Sequence, residues 1–280
     1  MTAASTASNT APSDAYTNES NAFARPKPRE LKHPLTDAQL AQYRELGFVI
    51  LPGLYNAEEV AAMQAEAQRL YDRTELHDRN NLRMEYDLEL NKPWKIDPFV
   101  DISETFAHLM RHPRLVDALS SIYDGYAPRL FKDKLIYKPP HSKGSGMHQD
   151  YTWWQGFPTS LLSVAIALDF NDEASGCTEL FPDPKKGLMT PAGKLQLLPE
   201  SMVDLTKGVK FVASPGDVAI FNCFAPHRAA TNNSDRFRRQ IFLSFNDSRD
   251  GEFYQAHYEH FHWYRTLALS DADAKKAYFR

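Results

Sequence analysis

The stretch Met147-His148-Gln149-Asp150-Tyr151 places an imidazole and a carboxylate two residues apart. In an extended segment, residues i and i+2 lie on the same side, so His148 and Asp150 can converge on one point in space. Such a point can hold a metal ion. One nitrogen ligand and one oxygen ligand do not complete a metal site, so we expect a second histidine from elsewhere in the chain.

His227 is the best candidate for this second histidine. It follows a tight turn at Pro215-Gly216-Asp217 and a short apolar strand at 218–221. Two histidines and one carboxylate on one face of an iron ion leave the opposite positions open for a cosubstrate and dioxygen. The sequence therefore predicts an iron centre built from His148, Asp150 and His227.

The two halves of the chain predict different secondary structure. Capping boxes at Thr36 and Asn56 predict helices that run to about Leu46 and about Thr74, with a strand at 48–51 between them. Two shorter helices are predicted around Pro113, 75–95 is predicted to be loop, and 252–280 is predicted to be mainly helical. From about Leu130, short apolar runs bounded by Gly, Pro, Asn and Asp are typical of a β-sandwich or barrel.

Alternation along three predicted strands separates an apolar face from a face that tolerates small or charged groups. The apolar face holds Leu162, Val164, Ile166, Leu168 and Phe170 of one strand and Arg239, Ile241, Leu243 and Phe245 of another. The second face holds Ser163, Ala165, Ala167, Arg238, Gln240, Phe242, Ser244, Lys132, Lys134, Ile136 and Lys138. We expect the second face to line a wet cavity inside the sheet.

Composition limits the function classes. The chain has 280 residues with 32 Lys and Arg against 36 Asp and Glu, a net charge of −4, which argues against nucleic acid as a partner. Two cysteines are too few for a disulfide framework and favour a cytoplasmic protein. No apolar run is long enough to span a membrane. The polar segment 1–29 is predicted to be a disordered tail, and 30–280 a single domain.

Several motifs occur in the order found in a known family. They are Lys138-Pro139-Pro140, His148-Gln149-Asp150, Ala174-Ser175-Gly176-Cys177, Pro215-Gly216-Asp217, His227 and Phe237-Arg238. With the opening segment from Leu35 to Gly53, this order resembles the phytanoyl-CoA dioxygenase family over most of the chain from Leu35 to Phe245. The resemblance implies a mainly β protein with flanking helices around a double-stranded β-helix, the jelly-roll or cupin-like core.

The resemblance also implies an Fe(II)- and 2-oxoglutarate-dependent dioxygenase. His148, Asp150 and His227 match the iron ligands of the family, and Arg238 matches the arginine that holds the far carboxylate of 2-oxoglutarate. A guanidinium suits that task because its planar fork donates two parallel hydrogen bonds to a carboxylate. The reaction implied is oxidation of a small-molecule metabolite by O2, most simply hydroxylation, with decarboxylation of 2-oxoglutarate to succinate.

Two positions depart from the family pattern. The loop after Gly176-Cys177 reads Pro182-Asp183-Pro184-Lys185-Lys186-Gly187, and Ala229 stands where a small hydroxyl residue is usual. The second departure implies another secondary contact for 2-oxoglutarate, for which Lys134 and Ser163 are the candidates. Because Asp150 keeps a carboxylate where related halogenases have a small residue, we predict no halogenation.

The substrate pocket is predicted from neighbouring aromatic and basic residues. Tyr151, Trp153, Trp154 and Phe157 follow the metal pair and line a pocket or belong to the core. Arg228 and Arg236 contact an anionic substrate or lie at the surface. The histidines of His257-Tyr258-Glu259-His260-Phe261-His262 are predicted to belong to an aromatic helix that closes the barrel rather than to a second metal site.

Two other function classes remain open from the sequence. A cupin-type binding protein would hold a metal without turnover, and so would form no succinate. An iron dioxygenase that does not use 2-oxoglutarate would keep the three ligands but would not need Arg238. The residues specify neither the substrate nor the oligomeric state.

Overall fold

The computed structural model describes residues 26–87, 89–182, 187–267 and 269–279. Most of the predicted tail therefore lies outside the described residues, and so do 183–186 of the divergent loop. The helices are α1 (Asp37–Leu46), α2 (Ala57–Tyr71), α3 (Glu104–Leu109), α4 (Pro113–Ile122), α5 (Tyr254–Leu267) and α6 (Asp271–Ala274). The strands are β1 (Phe48–Leu51), β2 (Met84–Asp87), β3 (Lys92–Ile96), β4 (Pro128–Lys138), β5 (Ser145–His148), β6 (Leu162–Ala167), β7 (Thr178–Leu180), β8 (Val209–Lys210), β9 (Val218–Asn222), β10 (His227–Ala229) and β11 (Arg238–Asp247).

The strands form two antiparallel sheets. The larger sheet has the order β1-β9-β6-β11-β4-β3-β2, and the smaller sheet has the order β5-β10-β7-β8. Strand neighbours in space are often distant in sequence, because the chain passes repeatedly between the sheets, as in a jelly roll. The predicted jelly-roll core with flanking helices is confirmed.

The N-terminal helices begin where the capping boxes predict. The backbone amide of Gln39 donates to the Thr36 hydroxyl at 3.3 Å, and the Thr36 amide donates to the Gln39 side chain at 2.9 Å. Gly47 ends α1 with a φ of 82°, a conformation that a residue without a Cβ adopts readily. Asn56 and Glu59 make the same reciprocal pair at α2. These local signals therefore fixed both helix starts correctly.

The apolar face of the larger sheet packs against the helices. Alternate residues of β6 and β11, with Leu135 of β4, join one buried cluster with the inner faces of α2, α3 and α4. The opposite face carries the small residues Ala165 and Ala167, which pack with Leu180 of β7 and Phe211 toward the smaller sheet. The predicted division of faces is confirmed, except at Phe170, which lies beyond the end of β6 and is half exposed.

The prediction of a loop over 75–95 is wrong. A short 3-10 helix covers Thr74–His77, and β2 and β3 extend the larger sheet beyond β4. Charged side chains obscured these strands, because Glu85 and Lys95 pair across them and line a cavity rather than pack in the core. β2 is an edge strand, where charged side chains are common, and its apolar alternation is limited to Met84 and Tyr86.

Gly144 is required by the close approach of two chain segments before β5. A Cβ on Gly144 would overlap the backbone carbonyl of Ala229 in β10, whereas a Cβ on Gly146 would meet only the side-chain tip of Leu197 at 2.9 Å. We expect Gly144→Ala to destabilise the fold by about 2–4 kcal/mol, because backbone atoms must move apart. Urea unfolding checks this, and Gly146→Ala, two residues further on in β5, is expected to cost clearly less. Equal losses in both variants would contradict the argument.

Candidate active site

The pairing of β5 with β10 brings two histidines together. His148 ends β5 and lies directly opposite His227, the first residue of β10, although 78 residues separate them in the chain. Directly opposed residues of an antiparallel pair have Cβ atoms roughly 5 Å apart. Asp150 begins the 3-10 helix Asp150–Trp153 immediately after β5. The three side chains therefore converge from two paired strands and from the 3-10 helix that follows one of them.

The ligand atoms of the three residues lie within one coordination sphere. One atom each from His148, Asp150 and His227 lies within 4.8 Å of the others. The Nε2 atoms of His148 and His227 are 4.0 Å and 3.9 Å from Asp150 Oδ1, and the two rings have centroids 4.1 Å apart. Within the described ranges no other group of His, Cys, Asp and Glu side chains lies this close together. The histidines of α5 do not form such a group.

Hydrogen bonds hold both imidazoles with Nε2 toward the centre. The Nδ1 of His148 lies 2.7 Å from the Gly146 carbonyl, and the Nδ1 of His227 lies 3.0 Å from the Ala225 carbonyl. A carbonyl oxygen only accepts, so each Nδ1 carries the proton and each Nε2 keeps its lone pair. Burial, and then the neighbouring His227, lower the pKa of His148 to about 3, and burial lowers the pKa of His227. Both rings are therefore neutral donors.

Ser163 of β6 orients the carboxylate. Its hydroxyl donates to Asp150 Oδ2 at 2.5 Å, which leaves Oδ1 facing the two imidazoles. Such contacts behind a ligand set its orientation and its basicity. A hydrogen bond orients each of the three side chains. Two neutral imidazoles and one carboxylate fit the requirements of a non-haem Fe(II) site with open positions.

Removing the Ser163 hydroxyl tests this orienting contact. We expect Ser163→Ala to lower the affinity of the site for Fe(II) by about 10- to 100-fold, because the carboxylate loses its fixed orientation. Equilibrium titration with Fe(II) under nitrogen measures the change. Ser160→Ala is a matched control, because that serine bonds to Asp250 and to the backbone amide of Asp247 instead. An unchanged Fe(II) affinity in Ser163→Ala would contradict the orienting role.

A buried arginine lines a cavity beside the two histidines. This smaller cavity has a volume of about 360 Å³ and is lined by His148, His227 and Arg238 among others. The guanidinium of Arg238 is only 3% exposed and forms no ion pair within the described chain. It donates to the Gln240 side chain and to the Gly176 carbonyl, the latter at 3.0 Å, and its Nε has no partner. Burial lowers its pKa to about 10, so it stays charged at neutral pH.

Gly176 explains part of the motif Ala174-Ser175-Gly176-Cys177. Its φ of +68° is unfavourable for other residues, and a Cβ there would collide with the Ala230 carbonyl. Its own carbonyl accepts from both Arg238 and Lys138, the latter at 2.9 Å. The glycine therefore allows the backbone to reach Arg238 and Lys138, two of the cations that line the smaller cavity.

A larger cavity, of about 810 Å³, is lined by the third metal residue. Asp150, Trp153, Trp154 and Lys134 line it near the triad. The ring of Trp153 packs edge-on against His148 with centroids 5.4 Å apart. The triad therefore has one cavity on the side of Arg238 and another on the side of the tryptophans.

The structure separates the predicted pocket aromatics into two groups. Trp153 and Trp154 line the larger cavity, as predicted. All four rings belong to one hydrophobic cluster. Tyr151 and Phe157 do not line the larger cavity, and the Tyr151 hydroxyl donates to the Phe157 carbonyl at 2.9 Å. They follow the alternative interpretation, that of ordinary core aromatics.

The prediction that Arg228 contacts a substrate is corrected by its position. Adjacent residues of a strand point to opposite faces, so Arg228 points away from the cavity into which His227 projects. It donates to Glu179 at 2.8 Å and to Glu200 at 2.6 Å on the far face. Arg236 likewise pairs with Asp172 at 2.5 Å, near the protein surface.

The sequence did not predict that charged residues of β2 and β3 line the larger cavity. β2 and β3 contribute Glu85, Lys95 and the nearby Asp97, and α5 contributes His257, His260, Phe261, Tyr264 and Arg265. The helical spacing of the α5 residues carried a signal, because i, i+3, i+4 and i+7 positions share a face. The predicted aromatic helix at the barrel is thereby confirmed.

Comparison with known proteins assigns the family. A family model described as phytanoyl-CoA dioxygenase matches residues 43–240. The chain belongs to the phytanoyl-CoA dioxygenase family. It is an Fe(II)- and 2-oxoglutarate-dependent dioxygenase. No helix in the described residues is long and apolar enough to cross a membrane.

Members of the family with similar sequences act on small molecules. The chain is 25% identical to a 2-aminoethylphosphonate dioxygenase from an uncultured bacterium, over 78% of this chain and 84% of the relative. It is 27% identical to an ectoine dioxygenase of Streptomyces avermitilis, over 76% and 79%. Among solved structures, EctD from S. alaskensis with bound Fe superposes with a TM-score of 0.70 at 21% identity, covering 81% of this chain and 82% of that one.

Proposed function

We propose that the enzyme hydroxylates a small molecule at an iron held by His148, Asp150 and His227, with 2-oxoglutarate held by Arg238. One observation carries the cosubstrate assignment: a buried guanidinium without a counter-charge lines the cavity that also contains both histidines. An isolated buried charge is unfavourable, and a dicarboxylate that reaches from the metal to Arg238 would neutralise it.

The two cavities suggest separate places for cosubstrate and substrate. The smaller cavity, with Arg238, suits 2-oxoglutarate, and the larger cavity, with Trp153 and Trp154, suits the compound that is oxidised. Iron(II) in such a centre supplies the redox chemistry that couples decarboxylation of 2-oxoglutarate to oxidation of a C–H bond by O2. The protein contributes orientation, because ligands fixed by hydrogen bonds hold the reacting groups at a constant distance.

The secondary contacts proposed from the sequence receive different support. Ser163 is engaged by Asp150, which favours a role in positioning the carboxylate over a contact with 2-oxoglutarate. Lys134 lines the larger cavity together with Asp150 rather than the cavity of Arg238, which favours a contact with the substrate. Ala229 lines the smaller cavity and supplies no hydroxyl.

The proposal predicts a specific pattern of products. Purified enzyme with Fe(II), 2-oxoglutarate and O2 should form succinate, and a panel of small metabolites should contain compounds that accelerate it. The accelerating compounds should gain one oxygen atom, measured by mass spectrometry. With chloride in the buffer they should gain no chlorine, since Asp150 occupies the ligand position. Absence of succinate under all conditions would favour the cupin-type binding protein, and a chlorinated product would contradict hydroxylation.

Three broader predictions accompany this proposal. The net charge of −4 supports an enzyme that does not bind nucleic acid, since there is no excess of positive charge to attract a polyanion. Two buried free cysteines support a reducing compartment such as the cytoplasm. The single domain over 30–280 is proposed as well. Subcellular fractionation and limited proteolysis test the last two.

A further inference from the structure

The walls of the larger cavity carry more positive than negative charge. Its charged residues include five cations, Arg79, Lys95, Lys132, Lys134 and Arg265, and three carboxylates, Glu85, Asp97 and Asp150. One of these carboxylates, Asp150, belongs to the metal centre. Without Asp150, the described lining of the cavity therefore contains five cations and only two carboxylates.

Both of these carboxylates are already engaged by other cations. Asp97 Oδ2 lies 2.6 Å from the Lys132 ammonium and 3.6 Å from the Lys95 ammonium. Glu85 is 2.6 Å from the same Lys95 and also pairs with Arg265. Neither carboxylate is left to neutralise a further group, because each already has two cationic partners.

Among the described residues, two cations of this cavity form no ion pair, Arg79 and Lys134; Arg79 donates to the Asn91 side chain, whereas Lys134 has no such contact. Within the described residues its ammonium forms no ion pair and no hydrogen bond, and it lies 4.8 Å from the centre of the Phe242 ring. A cation held among protein atoms loses hydration that a ring face replaces only in part. The arrangement therefore favours binding of an anion from the cavity.

The strand places a second ammonium beside Lys134. Lys132 and Lys134 are two residues apart on β4, so both side chains leave the same face, about 7 Å apart along the strand. Lys132 donates to Asp97, and its remaining two N–H groups have no partner that is described. Its ammonium also lies 4.5 Å from the centre of the Phe261 ring. Two ammonium groups therefore face one region of the cavity.

Other residues of the cavity are suited to the rest of a small molecule. Trp153 and Trp154 line it next to the metal centre, and Phe261 and Tyr264 of α5 line it opposite. The imidazole of His257 is buried there, and neither ring nitrogen has a hydrogen-bond partner in the described chain. An apolar or aromatic body of a ligand would pack against these rings.

We infer that the substrate carries an oxyanion, a carboxylate or a phosphonate, which binds at Lys134 with Lys132 beside it, while its apolar body packs against Trp153 and Trp154. This inference rests on the proposed function, because it takes the larger cavity as the substrate site. It identifies Lys134 as a residue that determines which compounds are accepted. The alternative is that Lys134 contacts 2-oxoglutarate, and the two assignments differ in what its removal changes.

Three probes that share one body separate charge from shape. They are 3-phenylpropanoate, 2-phenylethylphosphonate and the neutral 3-phenylpropanamide, which differ only in the head group. Isothermal titration calorimetry of full-length enzyme, loaded with Fe(II) and 2-oxoglutarate under nitrogen, measures their dissociation constants. The inference expects one or both anions to bind at least tenfold more tightly than the amide. Comparison of the two anions distinguishes a carboxylate site from a phosphonate site.

Substitutions assign that preference to Lys134. In Lys134→Met the anion preference should disappear, and in Lys134→Arg it should remain, because the charge is retained. Lys210→Met makes the same change in net charge at an exposed lysine that pairs with Glu173, and it should keep the full preference. Thermal unfolding of each variant shows whether it is folded, and Lys134→Gln replaces Lys134→Met if the latter is not.

Several results would overturn the inference. These are equal binding of amide and anions, no binding of any probe, or an anion preference that persists in Lys134→Met. Weaker binding of 2-oxoglutarate to Lys134→Met, with the preference retained, would assign the lysine to the cosubstrate. Failure of the proposed function is distinguishable, because an enzyme that forms no succinate would still report its anion preference in the binding measurement.

Discussion

Replacing His227 with alanine is expected to lower the affinity for Fe(II) by more than ~100-fold, because losing a ligand costs more than losing a residue that orients one. His227 supplies one of only two nitrogen ligands in the centre, and its neighbour His148 cannot substitute for it. Succinate formation should fall to the background rate at micromolar Fe(II). Metal content after dialysis and the rate of succinate formation check both expectations.

The control for this experiment is the same substitution at a histidine away from the metal centre. His108→Ala, on the exposed side of α3, should retain the Fe(II) content and activity of the parent enzyme. His227→Gln serves as a second variant that preserves more of the side-chain volume between β5 and β10. If His227→Ala kept stoichiometric iron and full activity, the metal centre would have to lie elsewhere.

The sequence was sufficient for the parts of the fold that depend on local chemistry. Capping boxes and a C-terminal glycine set the limits of α1, because their hydrogen bonds join residues within four positions of each other. Strict alternation in β6 and β11 identified which face of each strand is buried, since one apolar face packs under the helices. The spacing of His148 and Asp150 likewise indicated a shared direction before any coordinates were known.

The closure of the cavity depends on contacts that a single chain segment does not encode. β3 pairs with β4 and β2 pairs with β3, and Glu85 of β2 forms an ion pair with α5 from the other end of the chain. Arg265, which pairs with Glu85, lies 180 residues away from it. Met84 and Tyr86 alternate with Glu85 and Asp87 in β2, but this run of four residues lies among charged residues and is too short to predict a strand by itself.

The position of Arg228 in β10 supports the surface alternative rather than a contact with the substrate. His227 and Arg228 are adjacent, so only one of them can face the metal, and the sheet register gives that position to His227. The same rule correctly separates Arg238, which faces the smaller cavity, from Arg239, which pairs with Asp169 behind the sheet. Charge alone does not identify a binding residue, because three of the four arginines in the described strands pair with carboxylates and do not line the smaller cavity.

Arg238→Met is expected to raise the KM for 2-oxoglutarate by roughly 100-fold. Removing one partner of a buried ion pair typically costs about 3 kcal/mol of binding free energy. The physical reason is that Lys138 is the only other described cation at that end of the smaller cavity. Its ammonium already donates to the Gly176 and Ala230 carbonyls. Burial, and then Arg238 beside it, lower the pKa of Lys138 to about 7 in the parent enzyme. The substitution removes the second cause, but the two carbonyls still occupy this ammonium, so Lys138 remains a poor substitute.

The same substitution should have an opposite effect on the protein without its cosubstrate. Removing an unpaired buried charge relieves a desolvation cost, so Arg238→Met should unfold at the same temperature as the parent or higher when 2-oxoglutarate is absent. The parent should gain thermal stability when 2-oxoglutarate is added with Fe(II), and the variant should gain little, because binding stabilises only a state that binds. Arg239→Met is the matched control: it should lose stability through Asp169 but keep the parent KM. An unchanged KM in Arg238→Met would favour a dioxygenase that does not hold 2-oxoglutarate through this arginine.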